Sequence, residues 1–171
     1  MRYNNIDTCE CCNGKDIGVS LYTQYCPIRC PGCFNKCAWD KDGGYEYTID
    51  VQNYILELLK RPYIKRESLL GGECLIHQNI PNLLSLVKAT KEERPDIKIW
   101  CWTGQLYENL RRIDDWQLQE LINNFDYLID GPFIQEKRDL TLLFRGSSNQ
   151  RIIDIKETLR QGKLTLADFE E

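Results

Sequence analysis

The chain has 171 residues, 42% of them apolar, and a formal net charge of -4. That is enough apolar residue for one core, so a single domain is expected over residues 1–171, compact at about 13–155 with terminal extensions at 1–12 and 156–171. Acids and bases are interleaved without a basic stripe, which argues against a nucleic-acid surface, and no apolar run is long enough to cross a bilayer.

In chain order, residues 17–23 predict a strand, and Gly43-Gly44 marks a turn beyond it. Val51, Tyr54, Ile55, Leu58 and Leu59 recur at helical spacing and predict an amphipathic helix that ends near Pro62. A short strand over 68–70 runs into Gly71-Gly72-Glu73. Pro81 behind an Asn79 cap opens a second helix, which carries Leu83, Leu84 and Val87 and stops before Pro95. Residues 97–102 predict the next strand, broken by Thr103-Gly104. Leu118, Leu121 and Ile122 behind Asp115 predict a further helix, followed by strands over 126–130 and 151–155, with the Gly131-Pro132 turn between them. Trp100 and Trp102 are expected to split, one facing the core. Strands alternating with helices imply parallel strands joined by crossovers. A complete eight-fold barrel takes about 250 residues, so the expected fold is α/β, an incomplete, open parallel (β/α) barrel. In such a fold the cysteine-rich loop after the first strand, Gly72-Glu73, Thr103-Gly104 and Asp130-Gly131 all fall at the C-terminal strand ends.

Nine cysteines carry the chemical signal. Their number is odd and Met1-Arg2-Tyr3-Asn4 opens no apolar leader, so disulfides are a poor account and a cytoplasmic protein with reduced thiols is expected. The run Cys26-Pro27-Ile28-Arg29-Cys30-Pro31-Gly32-Cys33 spaces three thiols as C-x3-C-x2-C. Three thiolates can hold three corners of a cubane iron-sulfur cluster and leave the fourth iron open, whereas closed zinc or ferredoxin sites normally take four ligands. Zinc stays open as an alternative if Cys37 joins the loop. Cys9, Cys11 and Cys12, expected in a mobile segment before the first strand, could pair with Cys37 as a second metal site. Cys74 and Cys101 read as small packing residues, and His77 as a surface residue or one that supports a site from behind rather than a base.

The cysteine loop resembles that of the radical S-adenosylmethionine enzymes. Further along, Phe34-Asn35-Lys36, Trp39, Leu70-Gly71-Gly72-Glu73, 99–104 (Ile-Trp-Cys-Trp-Thr-Gly), 128–133 (Leu-Ile-Asp-Gly-Pro-Phe) and Arg145-Gly146-Ser147-Ser148-Asn149-Gln150 continued through Asp154 follow in order. Together they are similar to the activating proteins of anaerobic (class III) ribonucleoside-triphosphate reductases, the Arg145–Gln150 block being what narrows the match. The chain departs from that pattern at Asn13–Asp16, at Tyr25 and at Cys74. The resemblance implies a barrel of the radical S-adenosylmethionine type, with a 4Fe-4S cluster on Cys26, Cys30 and Cys33 and S-adenosylmethionine on its open iron. It implies cofactor contacts from Gly32, Cys33, Phe34, Gly71, Gly72, Glu73, Thr103 and Asp130. Gly32 and Phe34 would lie against the adenine, the two glycines would admit the methionine moiety, and Glu73 would accept from its ammonium. Neither Gly72 nor Glu73 being a ligand, their replacement is expected to leave cluster content intact. The implied reaction removes a hydrogen atom from a glycine of the large reductase subunit, leaving a glycyl radical. The implied partners are that subunit, an electron donor such as reduced flavodoxin, and, as a possible homodimer, a second copy of the chain. Two other readings stay open: a small-molecule enzyme such as a carboxydeazaguanine synthase, and a non-enzymatic metal or electron-transfer module.

Overall fold

The computed structural model describes residues 1–169; positions 170 and 171 of the expected C-terminal extension lie outside the described residues. The elements are β1 (Arg2–Glu10), β2 (Gly18–Thr23), β3 (Tyr45–Glu46), α1 (Ile49–Leu59), β4 (Arg66–Gly71), α2 (Ile80–Glu93) and β5 (Lys98–Trp102). They continue with α3 (Tyr107–Leu110), α4 (Trp116–Asn124), β6 (Tyr127–Asp130), β7 (Arg151–Asp154) and α5 (Ile155–Gln161). One seven-stranded sheet runs in the order β3-β1-β2-β4-β5-β6-β7.

The four central strands β2, β4, β5 and β6 are parallel, as the alternation of elements predicts. The flanks depart from it: β1 and β7 run antiparallel to their neighbours, β3 pairs antiparallel with β1, and the sheet is not closed. Connection chemistry explains this. A parallel pair needs a crossover, but β1 reaches β2 through a short turn, and between β6 and β7 the chain forms only a 3-10 turn at Gln135–Lys137. Residues 2–10, expected to be a mobile extension that carries Cys9, are therefore a strand of the sheet.

Helix starts follow local chemistry. Thr48 Oγ1 accepts from Val51 N at the head of α1, Asp115 Oδ1 from Gln117 N at 2.9 Å before α4, and Asp154 Oδ1 from Glu157 N at 2.8 Å before α5. Asn79 precedes α2 but makes no side-chain cap; its amide turns inward and donates to Glu73 O at 3.1 Å. Buried residues of α1, α2, α3 and α4 join Leu21, Leu69, Ile99, Cys101 and Leu128 in one apolar cluster, so the helices cover a single face of the sheet. Cys74 and Cys101 are both buried there. Trp100 and Trp102 both lie on the opposite face with ring centroids 6.0 Å apart, because residues two apart on a strand share a side.

Arg66 organises that second face. Its side chain has no solvent exposure, and it donates to Glu10 Oε1 at 2.7 Å, to the carbonyls of Glu10, Asn13, Lys15 and Asp16, and to Ser68 Oγ. The loop between β1 and β2 is thereby fastened across the strands, with Gly14 (φ +116°) so close that a Cβ would meet Arg66 Cδ at 2.6 Å and Trp100 at 2.8 Å. Removing one member of a buried ion pair strands the other, so Arg66→Met is expected to cost about 3–5 kcal/mol in urea denaturation.

Glu67, the next residue, points the other way into the helix layer and is fully buried, with neither carboxylate oxygen hydrogen-bonded among the described residues. Burial pushes its carboxyl up to about 7, with the Thr90 hydroxyl and the Lys91 charge opposing. An acid that titrates higher when folded binds its proton more tightly in the native state. Its stabilising contribution is therefore complete below the unfolded value of 4.5 and is lost as pH rises towards about 7. Denaturation midpoints should show stability lower by about 2 kcal/mol at pH 8 than at about pH 5.5, and Glu67→Gln should flatten that difference.

Candidate functional site

The cysteine loop leaves β2 at Gln24, whose side chain closes the loop's neck: its amide donates to Cys37 O at 2.9 Å and Asp40 O at 2.7 Å, while its oxygen accepts from Asn4. Within the loop Tyr25, Arg29 and Gly32 take positive φ values of 74°, 51° and 76°, and Cys33 N donates to Cys30 O at 3.1 Å. These bends leave Cys26, Cys30 and Cys33 as free, half-buried thiols. Burial raises the Cys26 thiol, and the N–H groups of Arg29 and Ile28 directed at its sulfur oppose that.

The loop is sewn to the end of β4. Gly72 N donates to Thr23 O at 2.7 Å, Glu73 N to Tyr25 O at 2.9 Å, and the Asn35 amide to Gly71 O at 3.1 Å. Both glycines are needed by this packing alone. Gly71 has φ +107°, and a Cβ on Gly72 would stand 2.4 Å from Tyr25 O. Glu73 is buried and its carboxylate accepts from Leu75 N at 3.0 Å, Thr103 Oγ1 at 2.7 Å and Gly104 N at 2.8 Å. Burial pushes its carboxyl up, and those donors pull it back. The end of β4 is thus tied to the end of β5. The end of β6 is tied in turn to β7: Asp130 accepts from Tyr107 N at 2.8 Å and from the Arg151 guanidinium, which also grips Glu108.

A cleft of about 770 Å³ opens beside the loop. Gly32, Cys33 and Phe34 line it together with Leu70, Trp102 and Phe133, and Phe34 is 95% exposed. Of the other residues singled out from sequence, Gly71, Gly72, Glu73 and Thr103 form the tie behind the cysteine loop, and Asp130 is buried in its ion pair. His77 is exposed beside Asp115. Four residues escaped the sequence reading: Tyr25, whose carbonyl receives Glu73; Gln135, packed on Gly32; and Arg138 and Arg145 of the cleft wall. Tyr25 stands out in the sequence only as a departure from the family pattern, and Arg145 only within the Arg145–Gln150 block, a family mark without a role.

Among the described residues no three Cys, His, Asp or Glu side chains converge on a point that would hold one metal ion. Cys37 is exposed and donates to Asn35 Oδ1 at 2.9 Å, and neither it nor Cys9, Cys11 and Cys12 completes a tetrahedral set. A cubane makes a different demand, since each thiolate takes its own iron at a separate corner. Three free thiols spread over one tightly bent loop suit that donor pattern.

Residues 12–153 match a family model described as a 4Fe-4S single cluster domain, the class to which a three-thiol loop of this kind points. Proteins named anaerobic ribonucleoside-triphosphate reductase-activating protein are similar over nearly their whole length. That of Escherichia coli K12 is 37% identical over 152 residues, which is 88% of this chain and 96% of that protein. The one from Vibrio cholerae is 38% identical over 154 residues (89% and 97%), and the one from Enterobacteria phage T4 31% over 152 residues (89% and 93%). The chain belongs to this family of anaerobic ribonucleoside-triphosphate reductase-activating proteins. No described helix is long and apolar enough to cross a membrane.

The glycine packing makes a prediction opposite to the sequence expectation. Gly72→Val drives a branched side chain into the Tyr25 carbonyl at the mouth of the cysteine loop. Iron content after anaerobic reconstitution should fall, and stability should drop by about 1–3 kcal/mol, the usual cost of overpacking.

Proposed function

We propose that this chain activates an anaerobic ribonucleoside-triphosphate reductase by abstracting a hydrogen atom from a glycine of the large subunit, using S-adenosylmethionine and a 4Fe-4S cluster. The observation that carries the reading is the loop of Cys26, Cys30 and Cys33 sewn to Gly71–Glu73 beside an open cleft, in a chain whose relatives bear the activating-protein name. When bound, the cluster and S-adenosylmethionine supply a one-electron cleavage of a carbon-sulfur bond, and with it the hydrogen-abstracting species.

What the protein contributes is position and shelter. Cys26, Cys30 and Cys33 would hold three irons, and the β4 tie keeps their loop in one conformation. Gly32 and Phe34 would lie against the adenine, with Gln135 packed on Gly32 at the same wall. Glu73, already holding Thr103 and Gly104, acts as a strut, and Thr103 and Asp130 belong to the same framework of strand ends. The face opposite the helices leaves the cleft accessible to a polypeptide segment from a partner. A closed pocket, as a small-molecule enzyme needs, would require more chain over this side. The partner in this reading is the large glycyl-radical subunit, with an electron donor such as reduced flavodoxin, in the cytoplasm; a homodimer is compatible with it.

Anaerobic reconstitution should load about four irons per chain, and Ala at Cys26, Cys30 or Cys33 should abolish loading, while Ala at Cys9, Cys11 or Cys12 should not. The reduced protein should release methionine and 5'-deoxyadenosine from S-adenosylmethionine, and the large subunit should gain a glycyl signal in electron paramagnetic resonance. An intact, reduced cluster that yields no deoxyadenosine would leave an electron carrier instead.

A further inference from the structure

Two arginines in the cleft wall have no ionic partner among the described residues. Most arginines placed beside a carboxylate here are committed to it: Arg66 to Glu10, Arg94 to Asp96, Arg151 to Asp130 and Glu108, Arg160 to Glu157. Arg138 and Arg145 line the cleft and pair with no carboxylate among the described residues. The acid that lines the cleft, Asp139, accepts instead from Thr141 N at 2.9 Å and Thr141 Oγ1 at 2.6 Å.

The backbone brings the two guanidinium-bearing residues to one place. Asp139 N donates to Gly146 O at 3.2 Å, Ser148 N donates to Lys137 O at 2.8 Å, and Arg138 pairs across with Ser147, so 137–139 and 146–148 form the neck of a hairpin. Arg138 stands on one arm of that neck and Arg145 at the start of the other. Gln150 stiffens it, its side-chain oxygen accepting from Gly146 N at 2.9 Å and Ser147 N at 3.2 Å while its amide donates to Gly131 O at 3.1 Å. Arg145 Nη1 is braced on Gln150 O at 3.1 Å, and its Nε–H is buried with no acceptor. A buried donor on a cation is costly to leave unmet, so this N–H marks where an acceptor arrives. A guanidinium offers two parallel N–H groups in the spacing of a carboxylate.

We infer that Arg138 and Arg145 form a carboxylate-binding fork, and that it takes the amino-acid carboxylate of S-adenosylmethionine in the cleft. This rests on the function proposed above. That cofactor carries one carboxylate and no phosphate, and Cys33 of the cluster loop lines the same cleft. The fork then positions the methionine end of the molecule against the cluster.

The test is equilibrium dialysis of anaerobic, cluster-loaded protein against S-adenosylmethionine and against its decarboxylated analogue. Arg145→Gln and Arg138→Gln should each weaken S-adenosylmethionine by about 10- to 100-fold, and should leave the analogue's affinity unchanged. Arg138 is exposed, so its variant leaves the core untouched and decides the matter if Arg145→Gln does not fold. Unchanged S-adenosylmethionine binding in the folded variants, or an equal loss for both compounds, overturns the fork alone. A fully loaded wild-type protein that binds no S-adenosylmethionine overturns the fork together with the proposed function.

Discussion

The donors that the buried Glu73 carboxylate finds hold the site of this protein together. Its oxygens take the N–H of Leu75 and Gly104 and the hydroxyl of Thr103, while its own N–H reaches the Tyr25 carbonyl. One residue at the end of β4 therefore joins the cysteine loop after β2 to the turn after β5. Parallel strands that end together leave unpaired backbone groups at one edge, and side-chain acceptors placed there convert that liability into order. Asp130 does the same one strand further on, through Tyr107 N and Arg151. The framework behind the cysteine loop is thus a row of satisfied strand ends.

The two faces of the sheet are held by different physics. On one, helices bury a continuous apolar cluster from Leu21 to Leu128, and shape complementarity does the work. On the other, Arg66 draws the carbonyls of the β1–β2 loop inward, and the rings of Trp100, Tyr127 and Phe169 pack together beside it. No helix among the described residues covers this side, which is why a cleft remains next to the cysteine loop. Openness to a large partner and the need to dry the inner face pull in opposite directions; loops and aromatic rings cover what must be covered and leave the rest accessible.

The same division explains why the cleft wall is polar where it is. The hairpin at 137–148 rests Phe144 on Trp100, and its neck is stiffened by amide groups, chiefly Gln150 and Asn149, which grip Gly131 and Pro132 at 3.1 and 2.8 Å. A wall built from hydrogen bonds to main-chain groups holds its arginines without surrounding them by acids.

Much of this was legible in the chain. Helical spacing marked α1, α2 and α4, breakers at Gly71, Thr103-Gly104 and Gly131 marked the strand ends, and the three-cysteine spacing marked the loop after β2 as the candidate site, because each depends only on near neighbours. What escaped depends on residues far apart. β1 carries no clean alternation and becomes a strand by pairing with β2; β7 runs antiparallel because its connection lacks a crossover helix; Trp100 and Trp102 share a face that only the sheet defines. Asn79 caps nothing, since a buried carbonyl at Glu73 is the better partner. Gly72 is glycine because Tyr25, 47 positions earlier in the chain, lies against it, and no local pattern encodes that contact. Residue types and spacing thus determined the chemistry the chain carries, while long-range packing, which satisfies buried donors and acceptors across the fold, decided which residues stand in the cleft and which hold them there.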